Sequence, residues 1–150
     1  MYIATRNNHT SMELTDAFRP YKDQLRRSLG LLDGEKNFSY ELTKLADGVS
    51  WSDARKTDYG QEYLQSAGTA ERMTIEIRRL AADGNFHQYA VGRAEAADEE
   101  LTELVRYGKY KLHVAPSEVF DADAAAEVYY HYFQTNTVPE GMHLRELDFS

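Results

Sequence analysis

Met73-Thr-Ile-Glu-Ile-Arg-Arg-Leu80, followed by Asp83-Gly84 and then Phe86-His-Gln-Tyr-Ala-Val-Gly92, is the stretch that decides the fold class. Met73, Ile75 and Ile77 alternate with Thr74, Glu76 and Arg78, the period-two pattern of a strand with one face buried. Asp83-Gly84 is a strong hairpin signal, because glycine takes the left-handed conformation at no steric cost. If those two residues are the whole loop, Ile77 stands opposite Ala90 and Ile75 opposite Gly92. That register predicts a small apolar face suited to receiving a helix, with Glu76, Arg78, Tyr89 and Val91 on the other face. A longer loop would shift the pairing.

Toward the C-terminus, Tyr110, Leu112 and Val114 alternate with Lys109, Lys111 and His113, so residues 107–115 predict another strand. Pro116 ends it. Residues 121–136 carry the clearest helix: Ala125, Val128, Tyr129, Tyr132 and Phe133 fall at i, i+3, i+4, i+7 and i+8, one broad apolar face. Asp121 is placed to cap it and Asp123 to favour its dipole. Val138-Pro139-Glu140-Gly141 supplies the stop, and Leu144, Leu147 and Phe149 a last strand. Between hairpin and strand, Glu95, Asp98, Glu99, Glu100 and Glu103 read either as an acidic patch or as a solvated face.

Toward the N-terminus the pattern turns helical. Thr10-Ser-Met-Glu13 has capping-box spacing. Leu14, Phe18, Tyr21, Leu25, Leu29 and Leu32 follow at steps of three and four, a stripe read as core. Pro20 either kinks this helix or opens a second one at its first turn, and Asp33-Gly34 ends the run. Residues 40–46 read as a short helix ended by Asp47-Gly48. Ser50 or Ser52 caps another, with Trp51, Tyr59, Tyr63 and Leu64 as its buried contacts. Trp51 is the sole tryptophan, a core anchor or an interface hot spot, with core favoured.

The 150 residues are 42% apolar and 28% charged, the composition of one globular domain spanning 1–150, with no internal repeat or low-complexity linker. No apolar run is long enough for a membrane span, and the N-terminus has no signal-peptide pattern. Cysteine is absent, which removes disulfides and thiolate chemistry and fits a cytosolic chain. The net charge is −8. Residues 1–60 are neutral, with nine acidic and nine basic residues, whereas residues 61–150 hold sixteen acidic against eight basic. A field of that sign repels phosphate backbones, so direct nucleic-acid binding is not expected, and it attracts a basic partner. Plain solubility explains the same charge.

Catalytic patterns are missing. The five histidines (His9, His87, His113, His131, His143) form no zinc-protease or zinc-deaminase spacing, so no metal is expected. Phosphate-loop, dinucleotide-binding and nucleophile-elbow motifs are also absent, so neither a cofactor nor a catalytic residue is assigned. Glu118 with Asp121 would serve acid/base chemistry only if buried together, and capping explains Asp121 more economically.

Pro116-x-Glu-Val-Phe-x-Ala-x-x-Ala-Ala-Glu-Val-x-x-x-Tyr-Phe-x-Thr-x-x-Val-Pro139, followed by Leu144-Arg-Glu-Leu-Asp-Phe149, resembles the C-terminal part of the Imm1-type immunity proteins of bacterial polymorphic toxin systems. The shared order is a Pro-led helix rich in alanine and aromatics, a Thr-x-x-x-Pro turn and a short terminal strand. The resemblance implies a cytosolic antidote that binds and blocks a cognate toxin, some of which act on nucleic acids. The candidate partner-binding residues are Glu118, Asp121, Asp123, Glu127, Tyr130 and His131, an acidic, tyrosine-bearing surface. The expected architecture is α+β: a helical N-terminal region, then a mainly antiparallel sheet with the C-terminal amphipathic helix packed on it. Two alternatives stay open. One is a small-molecule-binding or enzymatic domain with its pocket between sheet and helix, using Tyr89, His113, Arg78 or Glu118. The other is a homodimer through the Leu14–Leu32 stripe.

Overall fold

The computed structural model describes residues 2–7, 10–15, 17, 19–45, 62–93 and 99–147. In chain order these form β1 (Tyr2–Arg6), β2 (Thr10–Glu13), α1 (Tyr21–Gly30), β3 (Ser39–Lys44), β4 (Tyr63–Gly68), β5 (Met73–Leu80), β6 (Phe86–Gly92), β7 (Glu103–Tyr107), β8 (Tyr110–Val114), a 3-10 turn (Pro116–Glu118), α2 (Ala122–Thr135) and β9 (His143–Leu147). Seven strands make one antiparallel sheet, ordered β2-β1-β3-β4-β5-β6-β9, and among the described residues β7 pairs with β8 alone. No helix among the described residues is long and apolar enough to cross a membrane.

The α+β expectation holds, but the N-terminal region is mostly sheet. Thr10–Glu13 is not a capping box; it is an edge strand, with Arg6 opposite Thr10. Residues 39–44 are the strand β3, not a helix, and Tyr63 and Leu64 belong to β4. The reason is burial on both faces. Ser39, Tyr40, Leu42 and Thr43 are all buried, and so are Tyr2, Ile3, Ala4 and Thr5, so neither strand alternates visibly. Of the proposed long helix only Tyr21–Gly30 forms. Pro20, with φ −56° and ψ 149°, stands just before it as the capping residue and accepts the Gln24 N–H at 3.0 Å. Leu14, Leu25, Leu29 and Leu32 are buried, so that stripe is core and not an exposed dimer face. Phe18, Trp51, Tyr59, the Asp47-Gly48 and Ser50/Ser52 signals, residues 94–98 and Phe149 lie outside the described residues.

The hairpin forms where expected, but its register differs. Ala81 to Asn85 make a five-residue loop, with the Asp83 carboxylate accepting the Asn85 N–H at 2.9 Å and Ala81 N–H donating to the Asn85 carbonyl at 2.9 Å. Leu80 then faces Phe86, Ile77 faces Tyr89 and Glu76 faces Ala90. One residue of shift moves every β6 side chain to the other face. Val91 and Tyr89 therefore join Ile75 and Ile77 in the helix-covered core, while Gln88 and Ala90 join Glu76 and Arg78 on the opposite face, where Gln88 and Ala90 are also buried.

Both helices pack on one face of the sheet. From α1 come Leu25 and Leu29, and from α2 Ala125, Val128, Tyr129 and Tyr132, all at 1% exposure or less. They meet Tyr2, Tyr40, Leu42, Leu64, Ile75, Ile77 and Val91 of the sheet. Each such large side chain contributes roughly 1.5–3 kcal/mol by leaving water. Asp121 caps α2 as expected, accepting the Ala124 N–H at 2.8 Å, and Asn136 closes the helix in the left-handed conformation at φ +61°. The β7–β8 hairpin lies against β4, where Gly68 (φ +129°) lets Val105 approach closely.

Candidate functional site

The six proposed partner-binding residues do not form one surface. Asp123 and Glu127 project from α2 toward α1, where Arg26 bonds Asp123 and Lys22 Nζ lies 2.8 Å from Glu127. Lys22 also sits 5.8 Å from the Tyr130 ring centroid, and Tyr130 stacks on Phe133. Cations thus stand in front of the acids on this side. Asp121 is exposed and engaged in capping, and His131 is half-buried. Glu118 is elsewhere: it is 1% exposed and lies at the end of the 3-10 turn on the opposite side of the sheet.

There Glu118 helps line a cavity of about 440 Å³ between the face of the sheet away from the helices and the β8 strand. Its floor comes from Thr74 and Glu76 of β5, Ala90 of β6 and Arg145 to Leu147 of β9, and its wall from Leu112, His113 and Val114. The space between sheet and helices, where the alternative reading put a pocket, is the packed core. Of the four groups named for that pocket, His113 and Glu118 line the cavity. Tyr89 faces the core, and Arg78 lies over the Phe86 ring near the hairpin tip.

Two hydrogen-bond systems set the cavity's charge. Arg145 Nε donates to Glu118 Oε2 and Arg145 Nη2 to Glu118 Oε1, each at 2.9 Å, and the Ala115 N–H adds a third bond at 2.8 Å. Such a two-pronged pair holds a carboxylate in a fixed plane. Arg93 steadies the turn beneath it, donating to the Val119 and Pro116 carbonyls at 3.0 and 3.2 Å. Glu99 accepts both the N–H and the hydroxyl of Ser117, at 2.9 and 2.8 Å, and these bonds hold its carboxyl below the usual range.

The second system runs across the sheet. Tyr63 Oη donates to Gln88 Oε1 at 2.8 Å, and Gln88 Nε2 donates to Glu76 Oε1. Burial pushes the Glu76 carboxyl above the ordinary range, and the Glu118 charge adds to this. The Gln88 bond and the Arg145 guanidinium pull the other way. On the same face Glu41 is pushed up to about 7, again by burial, with Thr43 opposing. The Tyr107 hydroxyl on the hairpin is raised first by burial and then by the Glu76 charge.

On the other face of the sheet, level with Tyr89, Glu146 bonds His87, which also meets Asp83 at 2.8 Å, and these bonds raise the imidazole's pKa. Among the described residues no group of three or more His, Asp or Glu could hold a metal ion. Sequence reasoning missed Arg145, Glu76 and Gln88. Glu76 was placed on the right face, but nothing in the pattern ties Arg145 to a glutamate 27 residues earlier.

No protein-family model matches the chain, and neither a curated protein nor a solved structure matches it significantly.

Proposed function

We propose that this protein is a non-catalytic binding protein that blocks a basic partner protein, in the manner of a toxin-neutralising immunity protein. The observation that carries this reading is the β7–β8 hairpin. It forms a two-stranded sheet of its own and exposes Tyr110 (56%), with Leu101 (42%) exposed just before it, beside Glu100 and Glu103. Tyr107 packs against Tyr110 at 5.5 Å, so the aromatic surface is held in place before any partner arrives. At the hairpin tip Lys109 Nζ lies 5.5 Å from the Tyr110 ring centroid, with Arg106 and Lys111 next in register, whereas Glu103 stands at the far end, paired with Arg72. An exposed, pre-held aromatic is the kind of anchor protein-binding patches use. The acidic excess of residues 61–150 adds a field that speeds encounter with a basic surface.

The test is co-expression with a toxin encoded beside this gene. The expected outcome is protection, a tight complex and an association rate that falls as salt rises, with Tyr110→Ala weakening binding. No complex and no protection would sink the reading. A second reading, a small-molecule-binding domain, is favoured by the cavity itself, whose volume lies within the range of ligand pockets. Native mass spectrometry of the purified chain tests it through any co-purifying small ligand.

A further inference from the structure

The cavity's charges divide into one closed pair and one remainder. Arg145 is held by Glu118 through two bonds, whereas the Glu146 side chain, opposite Tyr89, leaves the sheet on its other face and bonds His87 there. Glu76 is left with Gln88 as its sole hydrogen-bond donor among the described residues, and that bond goes to Oε1, so Oε2 accepts none. Gln88 is 7% exposed and is itself fixed by Tyr63, so the Glu76 carboxylate is held by a rigid chain. Around it the walls are apolar: Ala90, Leu112, Val114 and Leu147. About 440 Å³ is far more than the roughly 30 Å³ share of one water molecule. This is a partly desolvated carboxylate with an open acceptor beside apolar walls. The nearest cation, Arg145, acts on it at a distance while its donors are held by Glu118, so the free oxygen can receive a cation that brings its own hydrogen-bond donors.

We infer that this cavity is a binding site for a single ammonium or guanidinium group on a short apolar stem, with Glu76 as the residue that receives the charge. The stem packs on Leu112, Val114 and Leu147 while the cationic head donates to Glu76 Oε2. Glu118 and Arg145 act as positioning residues that keep the floor rigid. This goes beyond the toxin-blocking reading and does not depend on it. The chemistry is the same whether the cation is a lysine or arginine side chain of a protein or a free amine.

The experiment titrates the full chain with n-butylguanidinium and with its neutral counterpart n-butylurea, followed by amide NMR shifts. Saturable binding of the cation is expected, with shifts centred on residues 74–76, 112–114 and 145–147, and binding of the urea about tenfold weaker or absent. Glu76→Gln should weaken the cation about tenfold. Leu112→Trp, which fills the space from the exposed hairpin side, should abolish binding while the melting curve stays intact. The surface variant Glu140→Gln should bind as the parent does. Spermidine binding more tightly than the probe would identify a free amine as the source, whereas displacement of the probe by a basic protein partner would identify a side chain. The inference is overturned by the absence of saturable binding, by equal binding of the urea, or by Glu76→Gln and Leu112→Trp both binding like the parent. None of these outcomes bears on whether co-expression protects against a toxin, so the two ideas can fail separately.

Discussion

Arg145 in the last strand and Glu118 in the 3-10 turn join through two hydrogen bonds of 2.9 Å, with the Glu118 side chain 2% exposed and that of Arg145 31%. This pair ties β9 to the segment that leads into α2. Removing one partner of a largely buried ion pair leaves the other charge without compensation. Arg145→Met should therefore cost about 3 kcal/mol, read from the urea midpoint at unchanged slope. The double variant Arg145→Met/Glu118→Leu should recover part of that loss, because it deletes the stranded carboxylate. If the double variant is less stable than the single one, the pair is not what ties β9 down.

Gly68 sits at φ +129°, and a Cβ there would lie 2.3 Å from the Arg72 carbonyl oxygen and 2.9 Å from Val105 Cγ1. The first neighbour is backbone and cannot yield cheaply. Gly68→Ala should destabilise by about 2 kcal/mol or more and loosen the hairpin, seen as faster amide exchange across β7 and β8.

Tyr129 is fully buried, and its hydroxyl bonds Ser66 Oγ at 2.8 Å and the Tyr40 carbonyl at 3.2 Å. Tyr129→Phe keeps the ring but leaves the buried Ser66 hydroxyl without this partner, so a loss of about 1–2 kcal/mol is expected by chemical denaturation.

The Glu41 carboxyl, held up to about 7 by burial, makes stability depend on pH in a definite direction. An ordinary glutamate titrates near 4.5, so between about 4.5 and 7 the folded chain binds more protons at this site than the unfolded one. Its contribution is thus fully present below about 4.5 and is lost as pH rises through about 7. Glu41→Gln, which cannot ionise, should match the parent near pH 4.5 and be more stable by about 1–3 kcal/mol at pH 8. Melting curves at the two pH values check this, and a gain confined to the acidic side would contradict it.

Asp121→Ala removes the side-chain acceptor for the Ala124 N–H and should cost about 1 kcal/mol in a thermal melt. Asp121→Asn, which can still cap, should restore most of it.

Local signals in the C-terminal half read well. Asp121 at the cap, Val128 and Tyr129 on the buried stripe, and Pro116 after the strand each act through neighbours within a few residues, so spacing alone reveals them. The N-terminal half misled for a definite reason. Leu25 and Leu29 do lie on a helix, but Leu14 reaches the core as the extended residue after an edge strand, its N–H donating to the Tyr2 carbonyl at 2.9 Å. Its helical spacing with the later leucines is coincidence. In β1 and β3 the polar-to-apolar alternation was hidden because Ile3 and Thr43 are buried on one face while Tyr2 and Leu42 are buried on the other.

What the sequence by itself determined is the set of local elements whose patterns are carried by near neighbours: the β5–β6 hairpin, the capped helix α2 and the charge imbalance between the two halves. What only the tertiary structure decided is which of those residues meet. A five-residue loop in place of a two-residue one moved Gln88 and Ala90 to the face away from the helices, where Gln88 holds Glu76. A bond across 27 residues withdrew Glu118 from the surface and made it part of a cavity floor. Side-chain facing flips with a single residue of register, and ion pairs form across distances along the chain that no periodicity encodes. The candidate site therefore became visible once the strands were paired.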